Sequence, residues 1–295
     1  MSAPLQSHPV KIKGHSGCLV RVVSEDTRLW VDKCASSPEY AERLRLQIQK
    51  QKQAKSANQL SSIRIPEIGS EHHTADGGYR ARMEYLPFLD CLDFYSTASI
   101  DGVVALAGHL IAYLESNLAE CSIKPVEATL FLNKLESIED QLVCSPHIAP
   151  YRRLIEAARR RLGEVHGLSL PVGPTHGDLT LSNVMVASDL SSIGIFDFLD
   201  SYLESPLVDI AKVRQDTQFG WSSLMSEKPV DSVRLKQIMR HTDEIIVKHF
   251  RGCEWFCRGV DLIQAINLLR IAPYARTEAV HRFVIDAVGS LGLEQ

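Results

Sequence analysis

No run of about 18 apolar residues occurs in the chain, so a membrane-spanning helix is not expected. The first residues, MSAPLQSHPVKIKG, contain no apolar signal core, so export by that route is not expected either. No internal repeat and no low-complexity tail is present. Seven cysteines are scattered along the chain, an odd number, and no CxxC pair has a matching second pair. Cys253 and Cys257 stand as CxxxC, with no histidine or cysteine cluster beside them to complete a metal set. Free thiols in a reducing cytosol fit this usage, and the expected location is cytoplasmic. There is no G-x-S-x-G elbow, which argues against α/β-hydrolase chemistry.

What is present is ordinary globular material. The 295 residues suffice for two lobes, and 45% hydrophobic with 23% charged residues is usual for a packed domain. The net charge of −4 is unevenly spread. Residues 1–86 hold 13 Lys+Arg against 9 Asp+Glu, and residues 87–295 hold 19 against 27. An acidic larger part argues against nucleic-acid binding, whereas a basic first part suits a phosphate-rich ligand.

The first part reads as strands with one helix. CLVRVV and RLWVDKC flank the turn-like SEDT and predict a hairpin. Ser37 and Pro38 are a cap and a first helical residue for the polar run that follows. IRIPEIG and GYRARMEYL predict two further strands, with SEHHTADGG as a loop between them. From about residue 87 the period becomes helical: DGVVALAGHLIAYLESNL, ATLFLNKLESIEDQL and IAPYRRLIEAARRRLGEV are three amphipathic segments. VMVASDLSSIGIFDFLD then reads as strand, turn, strand, and SPLVDIAKVRQDT opens another helix at Ser205 and Pro206. The expected architecture is α+β, with a small strand-rich lobe over residues 1–86 and a larger, mainly helical lobe over 87–295. MEYLPF, residues 83–88, connects them.

The segment most loaded with chemistry is THGDLTLSNVMV, residues 175–186. A loop aspartate such as Asp178 can orient or deprotonate a hydroxyl. An asparagine carbonyl such as that of Asn183 is a hard ligand suited to Mg²⁺. Asp197 follows Asn183 by 14 residues, where an apolar strand ends in GIFDFLD. Asp178, Asn183 and Asp197 together suit phosphoryl transfer, which needs a positioned hydroxyl and a metal on the phosphates more than covalent chemistry.

HGDLTLSN, FDFLD and SPLVDIA, in this order and spacing, resemble the catalytic loop, metal segment and following helix of the aminoglycoside phosphotransferase and choline-kinase-like family. The HGDxxxxN loop is itself similar to the protein-kinase HRDxxxxN loop. The resemblance implies a protein-kinase-like two-lobed fold and a phosphotransferase that uses ATP or GTP with Mg²⁺. It implies that Asp178 is the catalytic aspartate, that Asn183 and Asp197 hold the metal, and that His176 and Asp209 support the loop. In the first lobe it implies phosphate contact at Gly14 and Gly17 and a strand lysine, Lys33, on the α- and β-phosphates. Glu42, with Glu39 as the other choice, is the expected helix partner of Lys33. Glu84 and Leu86 in MEYL are expected to present backbone groups to the base.

Two departures stand out: glutamines fill the middle of the first helix, and Leu199 stands where many relatives have glycine. Ser205 follows Asp197 by only eight residues, too short a segment to dock a peptide, so the acceptor is expected to be a small molecule: a sugar, an amino sugar or an amino alcohol. Asp200, Arg214 and Asp216 are candidates to bind it. A pseudokinase-type binding module and a protein kinase remain the alternatives, and the oligomeric state is open.

Overall fold

The computed structural model describes residues 10–12, 18–25, 27–35, 37–75, 77–164, 167–226, 228 and 231–293. It divides into two compact units, Met1–Leu89 with Val184–Asp200, and Asp90–Asn183 with Ser201–Gln295. The expected single cut after residue 86 lies close to the first boundary but assigns Val184–Asp200 to the other part. The correction has a simple origin, because strands from that segment pair with a strand of the first unit.

In the first unit β1 (Val10–Ile12), β2 (Leu19–Glu25), β3 (Arg28–Ala35), β5 (Ile68–His73) and β6 (Tyr79–Glu84) form an antiparallel sheet in the order β1-β2-β3-β6-β5. The expected β2–β3 hairpin is present, with Val20 opposite Lys33. β5 runs through His73, so much of the segment read as a loop is strand. The reason is that His72 and His73 find ladder partners in Arg80 and Tyr79. Helix α1 (Pro38–Ala57) is capped by the Ser37 hydroxyl and buries Ala41, Leu44, Ile48 and Gln51, a helical stripe that covers Ala35, Tyr79, Ala81 and Met83 of the sheet.

A second sheet has the order β4-β11-β10-β7, from β4 (Ile63–Arg64), β11 (Ile193–Ile195), β10 (Val184–Val186) and β7 (Leu89–Asp90), whose Leu89 ends the unit. β10 and β11 are the expected strand–turn–strand, with Val184 opposite Ile195. β11 runs parallel to β4, with Ile193 opposite Ile63. Gly194 lies against the Leu86 side chain, and a Cβ there would come within 2.6 Å of Leu86 Cδ1.

The second unit is mainly helical: α2 (Cys91–Thr97), α3 (Ile100–Ala119), α4 (Ala128–Leu142), α5 (Ile148–Glu164), α6 (Pro206–Thr217), α7 (Trp221–Met225), α8 (Ser232–Phe250), α9 (Glu254–Leu269) and α10 (Glu278–Gly289). A small ribbon, β8 (Ser122–Pro125) with β9 (Ser169–Val172), completes it. By length and composition alone α3 is apolar enough to cross a membrane. Its Val103, Leu106, Leu110 and Leu114 are buried in the core of this unit.

Helix α6 sits at the centre, against α9, α8, α3 and β9. Every residue from Pro206 to Thr217 is buried, including Asp209, Lys212, Arg214, Gln215 and Asp216. Buried polar groups are costly unless each finds a partner. Those partners define the site.

Candidate active site

Two carboxylates of α6 hold the Thr175–Asn183 loop from behind. Asp209 is fully buried and accepts hydrogen bonds from Thr175 Oγ1 at 2.6 Å, the His176 N–H at 2.6 Å and the Gly177 N–H at 2.8 Å. Burial raises its carboxyl above the usual range, against the pull of His176 and of those donors. Seven residues on, Asp216 accepts from the Leu181 N–H at 2.7 Å and the Ser222 N–H at 2.6 Å. Burial pushes its carboxyl up to about 6.

Between these anchors the chain turns sharply. Gly177 has φ of 85°, the left-handed region that penalises any side chain. His176 is buried, and its Nδ1 accepts the Asp178 N–H at 3.2 Å. Asn183 ends a 3-10 turn, Leu181–Asn183. Its Nδ2 donates to the Asp178 carbonyl at 2.8 Å and to Asp178 Oδ2 at 3.4 Å. The Asn183 Oδ1 makes no hydrogen bond among the described residues.

Asp178 itself is half-buried, with Oδ1 3.1 Å from the Lys212 ammonium. Burial works to raise this carboxyl, but Lys212, supported by His176 and Arg270, holds it below the usual carboxylate range. Lys212 was not among the expected site residues. Its signal was legible, since Asp209, Lys212 and Asp216 recur at spacings of three and four and so share one helix face.

In the first unit Lys33 is buried on β3, between Val20 and Ala81, and its ammonium is ion-paired with Asp197. Asp197 stands just past β11 with φ of 66°, a strained position for a non-glycine residue. Helix α1 reaches the same segment through Lys50, whose Nζ donates to the Leu199 carbonyl at 2.7 Å.

Glu42, Arg214 and Asp216 depart from expectation, and the other expected residues are placed as follows. Glu42 does not meet Lys33: it is exposed and forms two hydrogen bonds to Arg45, at 2.8 and 2.6 Å, because the buried stripe of α1 points it to solvent. Arg214 is buried among Asp243 at 3.1 Å and Gln264 at 3.1 Å, and Asp216 is consumed by backbone donors, so neither is open to an acceptor. Asp200 is exposed, 3.9 Å from Lys50 Nζ. The Glu84 N–H donates to the Glu67 carbonyl at 2.8 Å, and its carboxylate accepts the Glu67 N–H at 3.2 Å, so that amide is taken. The Leu86 N–H has no partner among the described residues. Gly14 and Gly17 lie outside the described residues.

A sequence profile described as the phosphotransferase enzyme family matches residues 14–228. The chain belongs to that family. By this membership it is an enzyme, a small-molecule kinase. No curated protein matches by sequence. Among solved structures the chain is similar to a GDP and kanamycin complex of APH(2")-IIia, at 15% identity, TM-score 0.63, over 99% of this chain and 95% of that one. It is similar to the apo form of a thermostable mutant of the aminoglycoside phosphotransferase APH(4)-Ia, at 10% identity, TM-score 0.63, over 97% and 94%. It is also similar to a putative fructosamine-3-kinase from Haemophilus somnus 129PT, at 13% identity, TM-score 0.57, over 97% and 91%. These likenesses show the fold, the kinase-like α+β arrangement expected from the motifs.

Proposed function

We propose that this phosphotransferase moves the γ-phosphoryl group of ATP or GTP to a hydroxyl of a small molecule, in the class of sugars, amino sugars and amino alcohols. The observation that carries the reading is Asp178: a half-buried carboxylate, kept ionised by Lys212, on a loop fixed by three donors to Asp209. An ionised, oriented carboxylate is the group that aligns an attacking hydroxyl and accepts its proton. The new bond joins the acceptor oxygen to the γ-phosphorus, the bond to the β-phosphate oxygen breaks, and the nucleoside diphosphate leaves.

Residues 1–86, with the Val184–Asp200 hairpin, serve the nucleotide, and the rest serves the acceptor and Asp178. Lys33 supplies positive charge to the α- and β-phosphates, and the Leu86 N–H supplies a donor to the base. Mg²⁺ suits the donor set: Asn183 offers an amide oxygen left unpaired by its own hydrogen bonds, and Asp197 a carboxylate. Among the described residues no three His, Cys, Asp or Glu side chains gather as a metal cage. Magnesium takes few protein ligands when phosphates and water supply the others. When bound it neutralises charge on the phosphates.

The test is nucleoside diphosphate release from ATP and GTP across a panel of hydroxyl acceptors, with Asp178→Asn and Asp197→Ala beside the wild type. Asp178→Asn should lose turnover by about 10²-fold or more and keep nucleotide binding. Asp197→Ala should lose the Mg²⁺ dependence of a nucleotide-induced rise in Tm. Nucleotide binding with no release on any acceptor would leave a binding module instead.

A further inference from the structure

Arg270 follows α9 at its C-terminal end, and its guanidinium stands 5.4 Å from the centroid of the Tyr202 ring. Its Nη1 donates to Asn267 Oδ1 at 3.4 Å. Tyr202 meets Phe131 edge-on with centroids 6.3 Å apart. Lys134 lies one turn beyond Phe131 on the same face of α4. Arg270 and Lys134 form no ion pair among the described residues.

The two cations feel each other and the catalytic loop. Burial, then the Arg270 charge, hold the Lys134 ammonium below its usual range. The Arg270 charge also reaches Asp178. The nearby carboxylates are already committed: Asp178 to Lys212, Asp209 and Asp216 to backbone donors, and Glu204 to the Ser201 N–H at 2.9 Å. Two buried donors in the same cluster, the Tyr202 hydroxyl and the Asn267 amide nitrogen, have no hydrogen-bond partner among the described residues. Adjacent, partly buried, unpaired cations are unfavourable, and a bound anion relieves them.

We propose that Arg270 and Lys134 form an anion subsite for the acceptor, which is therefore a hydroxyl compound bearing a carboxylate or a phosphate and not a polycation. This rests on the phosphotransfer reading of Asp178. The carboxylates of this part are held by Lys212 and by backbone donors, so Arg270 and Lys134 are the groups left to an anion.

The experiment measures Tm and Kd of the full chain with AMP-PNP and Mg²⁺ present. The probes are gluconate and glycerate, glucose 6-phosphate and glycerol 3-phosphate, their neutral parents glucose and glycerol, and kanamycin. At least one anionic polyol should stabilise the wild type where its neutral parent does not. Arg270→Gln and Lys134→Gln should each weaken it at least about tenfold. Lys134→Arg should restore binding, and the AMP-PNP affinity should stay unchanged in all three. Stabilisation by carboxylates only, or by phosphates only, names the group. The proposal is overturned if no anionic polyol binds, if kanamycin or the neutral polyols bind in preference, or if the Gln variants weaken AMP-PNP in place of the polyol. If AMP-PNP binds and the polyols show no charge preference, only this inference fails. If AMP-PNP itself does not bind, the phosphotransfer reading fails and takes this inference with it.

Discussion

Lys212 decides the state of Asp178. Without its ammonium, burial would raise a carboxyl that the proposed phosphotransfer needs ionised. Lys212→Met should therefore move the acid limb of kcat/KM upward by about one pH unit or more, while Lys212→Arg should hold it in place. A pH–rate profile between 4 and 9 checks this; an unmoved limb in the Met variant would give Lys212 a packing role only. The sign for stability runs the same way. A depressed carboxyl contributes stability above the usual carboxylate range, and loses it as pH falls through its folded value. Lys212→Met should thus narrow the fall in Tm on acidification.

At the scale of elements, α6 is a brace that fixes the Thr175–Asn183 loop through Asp209 and Asp216. Gly177→Ala forces a side chain into the left-handed region and should cost about 1–2 kcal/mol, read as a lower urea midpoint, with turnover falling as the loop shifts. Asp216 behaves oppositely to Asp178 with pH. Its folded value of about 6 lies above the usual one, so its contribution is full below about 4 and is lost as pH rises through 6. Relative to Asp216→Asn, the wild type should therefore lose on the order of 2 kcal/mol between pH 4 and pH 7. Parallel Tm curves for the two proteins across that interval would show that the carboxyl is not raised.

At the scale of the whole molecule, the first unit is discontinuous. A fragment ending at Leu89 lacks β10 and β11 and leaves β4 without its parallel partner. It should fail to give a cooperative thermal transition, whereas the full chain gives one. Leu110 on α3 is fully buried in the second unit, so Leu110→Ala should cost roughly 2–5 kcal/mol and lower Tm by roughly 5–15 °C. A helix whose apolar face met lipid would show no such loss of core packing.

Local sequence was enough to place the Thr175–Asn183 loop, the strand that precedes Asp197 and the helix that follows. His176, Gly177, Asp178 and Asn183 lie within eight residues, so their spacing constrains their geometry, whereas the roles of Asp209 and of each loop residue came from the family resemblance. The α1 start at Ser37 and the β2–β3 hairpin were legible for the same reason: caps and turns act over a few residues. The tertiary structure alone decided the long-range pairings. Sequence spacing does not show that Lys33 meets Asp197, that Glu42 faces solvent while Lys50 reaches Leu199, or that Arg214 and Asp216 are spent on internal partners. Each depends on which face of an element is buried, and burial is set by packing against segments up to 164 residues away. The same physics joins β11 to β4 and makes the first unit discontinuous, and it leaves Arg270 and Lys134 without an ion pair among the described residues.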